Sequence, residues 1–145
     1  MINFLKTKIA LLWAKKHTQN AEIYKQNAAA DQEKLLFSLL KTAENTLFGK
    51  EHHFGEIQSV RDFQEKVPVS DYEDLKPYIE RIKNGEKDIL WTSLPEYFAK
   101  TSGTTSGAKY IPISKEGMPY QIAAAQSAIF HYIAQKGNAD FVAGK

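Results

Sequence analysis

Residues 97–114 read YFAKTSGTTSGAKYIPIS and contain both β-strands that the sequence predicts. Tyr97-Phe98-Ala99 is typical of a short strand. Tyr110-Ile111-Pro112-Ile113 is typical of a second strand, and Pro112 indicates an edge position because proline has no amide to donate to a neighbouring strand. Between the strands lies TSGTTSG. The stretch therefore predicts a β-hairpin with a loop of small, hydroxylated residues at its tip.

The loop TSGTTSG, residues 101–107, has the chemistry of an anion site. Glycines let the backbone turn and present several amide groups in one direction, and such a nest attracts anionic oxygens. The five hydroxyl groups can donate to phosphate oxygens, and Lys109 adds a positive charge nearby. A flexible turn without a ligand is the alternative for any loop of this composition. Because strand, loop, lysine and second strand follow in this order, we interpret the loop as a polyphosphate cradle.

Two common phosphate-binding motifs do not fit this loop. A Walker A loop has four residues between its glycines and a lysine directly after the second glycine. Here three residues separate Gly103 from Gly107, and Lys109 comes two positions later. A strand rather than a helix follows the loop, which excludes the dinucleotide-binding fingerprint as well.

The first helix is predicted over residues 2–17. Its apolar residues recur at helical spacing, which indicates an amphipathic helix. We expect this helix to pack on the rest of the subunit; a helix lying on a membrane surface is the alternative. The stripe consists of Ile2, Leu5, Ile9, Leu12 and Trp13.

A second helix is predicted from near Asp31 to near Glu44. Four leucines form its expected buried face, and Asn45, Thr46 and Gly49 are expected to break it. The leucines are Leu35, Leu36, Leu39 and Leu40.

A further helix is predicted after Ser70. Ser70 and Glu73 have the spacing of a capping box, in which each side chain accepts from the other residue's amide. Pro77 is expected to kink this helix or to start a new turn, and Gly85 is a stop signal. Its apolar residues are Leu75, Tyr78, Ile79 and Ile82.

Two other helices complete the prediction. One is a short helix over Ser59–Lys66 with Val60 and Phe63 inward. The other is a C-terminal helix over Ser114–Gln135 that Ser114 caps and Gly137 ends. One side of that last helix is expected to carry Ile122, Ala125, Ile129 and Ile133.

These elements predict an α/β fold class with a helical portion over residues 1–90 and a strand, loop, strand and helix over residues 96–136. About five helices would accompany a hairpin that is marginal by itself. Ala139 to Val142 resembles the start of another strand. We therefore expect the chain to be incomplete on its own, as the N-terminal part of a larger α/β protein. Apolar surface left exposed would favour self-association.

The composition excludes several classes of protein. The chain has 145 residues, of which 43% are hydrophobic and 25% charged, as in globular domains. It has no cysteine, so it forms no disulfide and binds no zinc through thiolates. The net charge is +2 without a dense basic run, so nucleic acid is not an expected partner. We expect a cytoplasmic protein without a signal peptide or a membrane span.

Histidines and carboxylates elsewhere suggest no further site. His52 and His53 are adjacent, so their side chains diverge, and we expect loop histidines rather than metal ligands. His131 is expected to be packed or on the surface. Asp71, Glu73 and Asp74 lie in the first turn of a helix, where its dipole favours negative charge without any catalytic role. No catalytic residue and no metal ligand is assigned.

The hairpin resembles the phosphate-binding loop of the adenylate-forming enzymes, the luciferase-like acyl-activating superfamily. Their loop has the pattern (Tyr/Phe)-Thr-Ser-Gly-(Ser/Thr)-Thr-Gly-x-Pro-Lys, and this chain has TSGTTSGAK over residues 101–109, without the proline. Because it lacks that proline, the chain resembles one branch of the superfamily, the auxin-responsive promoter family of acyl acid-amido synthetases. Three other stretches resemble that family: AENTLFGK at residues 43–50, FQEKVPVSDY at residues 63–72, and KYIP at residues 109–112.

The resemblance implies an ATP-dependent ligase built on an adenylate-forming large domain. A carboxylic acid would attack the α-phosphate of ATP, and an amine such as an amino acid would then take the acyl group. ATP with Mg²⁺ would be the cofactor, and Lys109 would either contact phosphate or hold the loop closed against a carboxylate. By this match, the phosphate contacts would be Thr101, Ser102, Gly103, Thr104, Thr105, Ser106, Gly107 and Lys109.

Two alternatives to the amido synthetase stay open. One is an acyl-coenzyme A ligase of the same superfamily; the missing proline and the other family-like stretches disfavour it. The other is a helical interaction domain whose Ser/Thr loop is a plain turn. The resemblance places adenine recognition, the acyl pocket and a C-terminal lid after residue 145, so we expect these 145 residues to be inactive alone.

Overall fold

The structure is a computed structural model that describes residues 2–101 and 107–139, without the side chains of residues 2–4, 20, 22 and 23. Most of the described backbone is helical, and its two strands form an antiparallel sheet. This confirms a helix-rich chain with a short hairpin. No helix in the described part of the chain is long and apolar enough to cross a bilayer. In order, the helices and strands are α1 (Ile2–Ala43), α2 (Leu47–Glu51), a 3-10 helix (Phe54–Glu56), α3 (Val60–Lys66), α4 (Tyr72–Lys83), β1 (Tyr97–Thr101), β2 (Lys109–Ile113) and α5 (Gly117–Lys136).

α1 is a continuous helix of 42 residues. The sequence predicted two separate helices, one over residues 2–17 and one from near Asp31. This was wrong, because the helix continues without a break between them. Residues 18–30 contain no glycine or proline, and four of them are alanines, which have the highest helix propensity. Nothing in the local sequence therefore ends the helix before Ala43.

Contacts divide the chain into two compact units, and the first comprises Met1–Asp31 and Pro119–Lys145. Its core is made largely of small residues: Ala14 and Ala139 are fully buried, together with Ile133. Around them pack Ala10, Leu11, Phe130 and Ala134. The predicted apolar stripe of α1 lies on another face, where Leu5, Ile9, Leu12 and Trp13 are between 45% and 67% exposed.

The helix itself packs in the first unit, as expected, but its apolar stripe is not the face that packs there. Ala14 is in the core of this unit instead, and Ala10 and Leu11 pack against that core. The described part of the chain therefore does expose apolar surface, as expected, whereas self-association stays a prediction.

α5 is capped as predicted, but most of its predicted apolar side is exposed. The amide of Gly117 donates to the Ser114 hydroxyl at 2.9 Å, which confirms the cap, and Gly137 follows the helix with a φ of +71°. Ile133 is buried, but Ile122 and Ile129 are about half exposed, at 51% and 46%. Of the four residues predicted along one side of the helix, only Ile133 is buried, since Ala125 is exposed as well.

The second unit, Gln32–Met118, has its own core. Leu40 from the predicted leucine face is buried, whereas Leu35 and Leu39 are each 45% exposed. α4 has the predicted amphipathic face, with Ile79 and Ile82 buried, and Gly85 follows its end with a φ of +88°. Pro77 lies inside α4, and the helix continues past it to Lys83. The buried apolar residues of this unit are Leu40, Ala43, Ile57, Ile79, Ile82 and Ile89.

Short helices in this unit differ from their predictions in detail. Ser59 caps α3 by accepting from the Asp62 amide at 3.0 Å, but Val60 is 41% exposed rather than inward. The predicted helix end near Glu44 is confirmed, since α1 ends at Ala43, and Gly49 lies buried inside the next helix, α2. The N-cap of α2 is Thr46, which is fully buried.

The N-cap of α4 is Asp71 rather than Ser70. One Asp71 carboxylate oxygen accepts from the amides of Glu73 and Asp74, and the Asp74 carboxylate accepts from the Asp71 amide at 2.9 Å. The Ser70 hydroxyl instead donates to the Pro68 carbonyl at 3.2 Å. Two overlapping capping boxes were possible in the sequence. The one with a carboxylate at the N-cap forms, because a negative charge interacts more favourably with the helix N-terminus.

Candidate phosphate-binding hairpin

β1 and β2 pair in antiparallel register over their whole length. Tyr97 lies opposite Ile113, and Thr101 lies opposite Lys109 at the end of the ladder. The amide of Glu96 donates to the carbonyl of Ile113 at 2.9 Å, which extends the pairing by one residue. The predicted hairpin is therefore confirmed, and its two strands bring Thr101 and Lys109 to the base of the predicted loop.

The predicted loop itself is described at its two ends. Ser102, Gly103, Thr104, Thr105 and Ser106 lie outside the described residues. Thr101 is exposed at the end of β1. Gly107 has a φ of +83°, which favours glycine, and a Cβ built on it would meet no atom within 4 Å. The backbone of Gly107 is thus accessible to a ligand.

Helix α4 supports the strand that leaves the loop. The amide of Tyr110 donates to the Tyr72 hydroxyl at 2.9 Å. The Lys109 ammonium lies over the Tyr72 ring, 5.1 Å from its centroid, and the Lys83 ammonium lies over the Tyr110 ring at 4.6 Å. Both distances are within the range of cation–π attraction. Two reciprocal tyrosine–lysine pairs therefore join α4 to β2.

The two lysines of these pairs have different electrostatic surroundings. The Lys83 ammonium donates to the Glu80 carboxylate, and this hydrogen bond raises the pKa of Lys83 above its ordinary value. Within the described residues, no carboxylate lies at ion-pair distance from Lys109. The alternative in which Lys109 holds the loop closed against a carboxylate has no support in this part of the chain.

The histidines and carboxylates singled out in the sequence form no site near the hairpin. The His52 ring donates through Nδ1 to the Lys66 carbonyl at 3.2 Å, whereas His53 Nδ1 lies 3.3 Å from a Glu56 carboxylate oxygen. Their side chains therefore diverge as predicted. His131 contacts the His17 ring edge to face. No group of three metal-ligating side chains occurs among the residues that the structure describes.

Tyr72 was not assigned a role from the sequence. Its contact with Tyr110 spans 38 residues of chain, so no local pattern reports it. The available signal was its position inside the family-like stretch FQEKVPVSDY, at the start of a helix.

Comparison with known proteins gives one family for this chain. The GH3 family N-terminal domain matches residues 17–142. The chain is 37% identical over 95 residues to indole-3-acetic acid-amido synthetase GH3.2 of Arabidopsis thaliana, which covers 64% of this chain and 17% of the relative. It is 47% identical over 64 residues to probable indole-3-acetic acid-amido synthetase GH3.13 of Oryza sativa subsp. japonica, covering 43% of this chain and 14% of the relative.

The family match extends over most of this chain, whereas the chain covers only a small part of each relative. Indole-3-acetic acid-amido synthetase GH3.4 of Arabidopsis thaliana gives the same result, with 37% identity over 93 residues and 16% of its length covered. The chain thus spans less than a fifth of the length of the curated relatives it matches. The resemblance stated from the sequence motifs is confirmed: the chain belongs to the GH3 family of acyl acid-amido synthetases, and it matches their N-terminal domain.

Proposed function

We propose that this chain contributes the triphosphate-binding hairpin of an ATP-dependent acyl acid-amido synthetase. The observation that carries the proposal is the hairpin with Thr101 and Lys109 at the base of the loop, in a chain of the GH3 family. The complete enzyme would adenylate a carboxylic acid and transfer the acyl group to an amine such as an amino acid. Family membership favours an amine over coenzyme A as the acceptor.

The chemistry proposed for the hairpin is positioning and electrostatic stabilisation. ATP supplies the activated phosphate, and pyrophosphate is the leaving group. Loop residues 101–107 would hold the β- and γ-phosphates with amides and hydroxyls while negative charge moves onto the pyrophosphate. Lys109 suits this role because the Tyr72 ring orients its ammonium and leaves it charged. A carboxylate partner would instead neutralise that charge.

The described residues fit a triphosphate better than they fit a metal ion. Gly107 leaves space beside its backbone, and Lys109 offers a cation. In the described part of the chain, no cluster of His, Asp or Glu offers Mg²⁺ a site of its own. Mg²⁺ would therefore be carried by the phosphate oxygens of the nucleotide, as is common for nucleotide-bound Mg²⁺. A cytoplasmic location and a luciferase-like large domain belong to the same proposal.

Pyrophosphate exchange into ATP tests the proposal in a full-length protein that contains this chain. Wild type should exchange labelled pyrophosphate when it is given a carboxylic acid substrate. Lys109→Ala and Gly103→Val should each lower the exchange by about a hundredfold or more, since removing one stabilising donor costs about that much in comparable sites. Lys115→Ala, at an exposed position two residues after β2, is the matched control and should leave the exchange unchanged.

Two results would contradict the proposal. One is the absence of exchange with any carboxylic acid tested in folded wild-type protein. The other is an unchanged rate in folded Lys109→Ala and Gly103→Val variants, which would favour the plain turn of an interaction domain. Turnover of ATP by the isolated 145 residues would contradict the expectation that they are inactive alone.

A further inference from the structure

We infer that Tyr72 is a positioning residue for ATP, because it holds the lysine-bearing strand of the phosphate-binding hairpin in place. This inference rests on the proposed function. Tyr72 makes two different contacts with consecutive residues of β2. Its hydroxyl accepts the Tyr110 amide at 2.9 Å, and its ring lies 5.1 Å from the Lys109 ammonium.

The hairpin needs such a support. A two-stranded hairpin by itself is marginally stable in water. Four of the five residues of β1 are exposed, so β1 provides little packing of its own. Among the described helices, α4 is the one with substantial contact to β2. The direction in which the strands present the loop therefore depends on how β2 is held against α4.

Tyr72 is itself fixed in place. It is the first residue of α4, directly after the N-cap Asp71, whose capping box with Asp74 fixes the beginning of the helix. Further along α4, Ile79 and Ile82 are buried in the core of the unit. Tyr72 thus connects the backbone of Tyr110 to a helix whose own position is fixed by its cap and its buried face.

The two contacts have separable roles. The hydroxyl fixes the backbone of β2, because the Tyr110 amide would otherwise bond to water. The ring orients Lys109 by attraction to its face while leaving the ammonium charged. The hydroxyl therefore affects where β2 lies, and the ring affects where the positive charge of Lys109 lies.

Two substitutions separate these roles, with a third as a control. Tyr72→Phe removes the hydroxyl and keeps the ring, and Tyr72→Leu removes both. Tyr120→Phe removes a hydroxyl from a tyrosine that is 72% exposed on α5, and it serves as the control. Circular dichroism and thermal unfolding of the 145-residue chain establish that each variant folds.

The structural half of the inference is measured in the 145-residue chain. Amide hydrogen exchange followed by NMR should show faster exchange of the Tyr110 amide in Tyr72→Phe than in wild type, by about fivefold, as loss of one hydrogen bond implies. Tyr120→Phe should exchange as wild type does. Equal Tyr110 exchange in Tyr72→Phe and in Tyr120→Phe would overturn the inference.

The functional half is measured by pyrophosphate exchange in a full-length protein that contains the chain. The KM for ATP should rise about threefold to tenfold in Tyr72→Phe and further in Tyr72→Leu, whereas the KM for the carboxylic acid stays constant. A purely structural role would lower the active fraction and reduce kcat with both KM values unchanged. That pattern, or an unchanged KM for ATP in both variants, would overturn the inference while leaving the proposed function standing. Folded wild type without exchange would instead overturn the proposed function and this inference with it.

Discussion

Gly49 lies in contact with the carbonyl oxygen of Ala43, at the point where the chain leaves α1 and enters α2. A Cβ built on Gly49 would overlap that oxygen and would lie 3.1 Å from Oγ1 of Thr46. The Thr46 hydroxyl donates to the same Ala43 carbonyl at 2.7 Å and accepts from the Gly49 amide at 3.0 Å. These three residues form a buried junction that requires glycine at position 49.

Gly49→Ala should therefore destabilise the chain strongly. The overlapping atom belongs to the backbone and cannot rotate away, so we expect a loss of about 3 kcal/mol or more in the free energy of unfolding. Gly55→Ala is the matched control, since its Cβ would meet one side-chain atom at 4.0 Å, and should change stability by less than about 0.5 kcal/mol. Urea unfolding followed by circular dichroism measures both; similar midpoints for the two variants would contradict the close contact at Gly49.

Asp71→Ala should cost about 1 kcal/mol, the usual effect of removing an N-cap. Ser70→Ala should cost less than about 0.5 kcal/mol, because the Ser70 hydroxyl makes no bond to the helix. Urea titration of both variants, with hydrogen exchange of the Glu73 and Asp74 amides, distinguishes the two caps. A larger loss of unfolding free energy in Ser70→Ala than in Asp71→Ala would show that Ser70 is the N-cap, as first predicted from the sequence.

Ala14→Leu should destabilise the first unit by about 1 to 3 kcal/mol, because a larger side chain cannot fit at a fully buried position without moving its neighbours. Leu12→Ala, at a position that is 67% exposed, should change the stability by less than about 0.5 kcal/mol. Thermal unfolding of both variants tests which face of α1 is packed. The opposite order would show that the leucine stripe is buried in solution, by self-association for example.

Stability should fall in acid. Hydrogen bonds lower the pKa of three carboxyls: Lys66 donates to Glu56, the Gln58 amide donates to Asp62, and Arg81 donates to Glu86. A carboxyl with a lowered pKa in the folded state stabilises the fold above its unfolded pKa and loses that contribution as the pH falls through the folded value. The melting temperature should be constant from pH 7 to about 5.5 and should decrease below about pH 4.5.

Asp62→Asn tests the origin of this acid sensitivity. Asparagine can still accept from the Gln58 amide, but it does not titrate, so the decrease in melting temperature below about pH 4.5 should be shallower than in wild type. Melting curves between pH 3 and pH 7 provide the comparison. An identical decrease in both proteins would mean that Asp62 does not contribute to it.

The hairpin could be predicted from residues 97–114 because its determinants are local. Aromatic and β-branched residues flank a loop of glycine, serine and threonine, and the family follows from that loop and three nearby motifs. The support of the hairpin could not be predicted in this way. Tyr72 and Tyr110 are 38 residues apart, and neither residue has a local pattern that names its partner.

Several helix ends were predicted from single residues, although the N-cap of α4 was assigned to Ser70 instead of Asp71. Gly85 and Gly137 follow helices with positive φ angles, and Ser114 caps α5. The tertiary structure decided which faces of α1 and α5 are buried. A cap acts within one turn of the helix, so its signal is local. Which face of a helix is buried depends on the side chains of a distant segment, and in α1 this contact buries Ala14 and leaves Leu12 exposed.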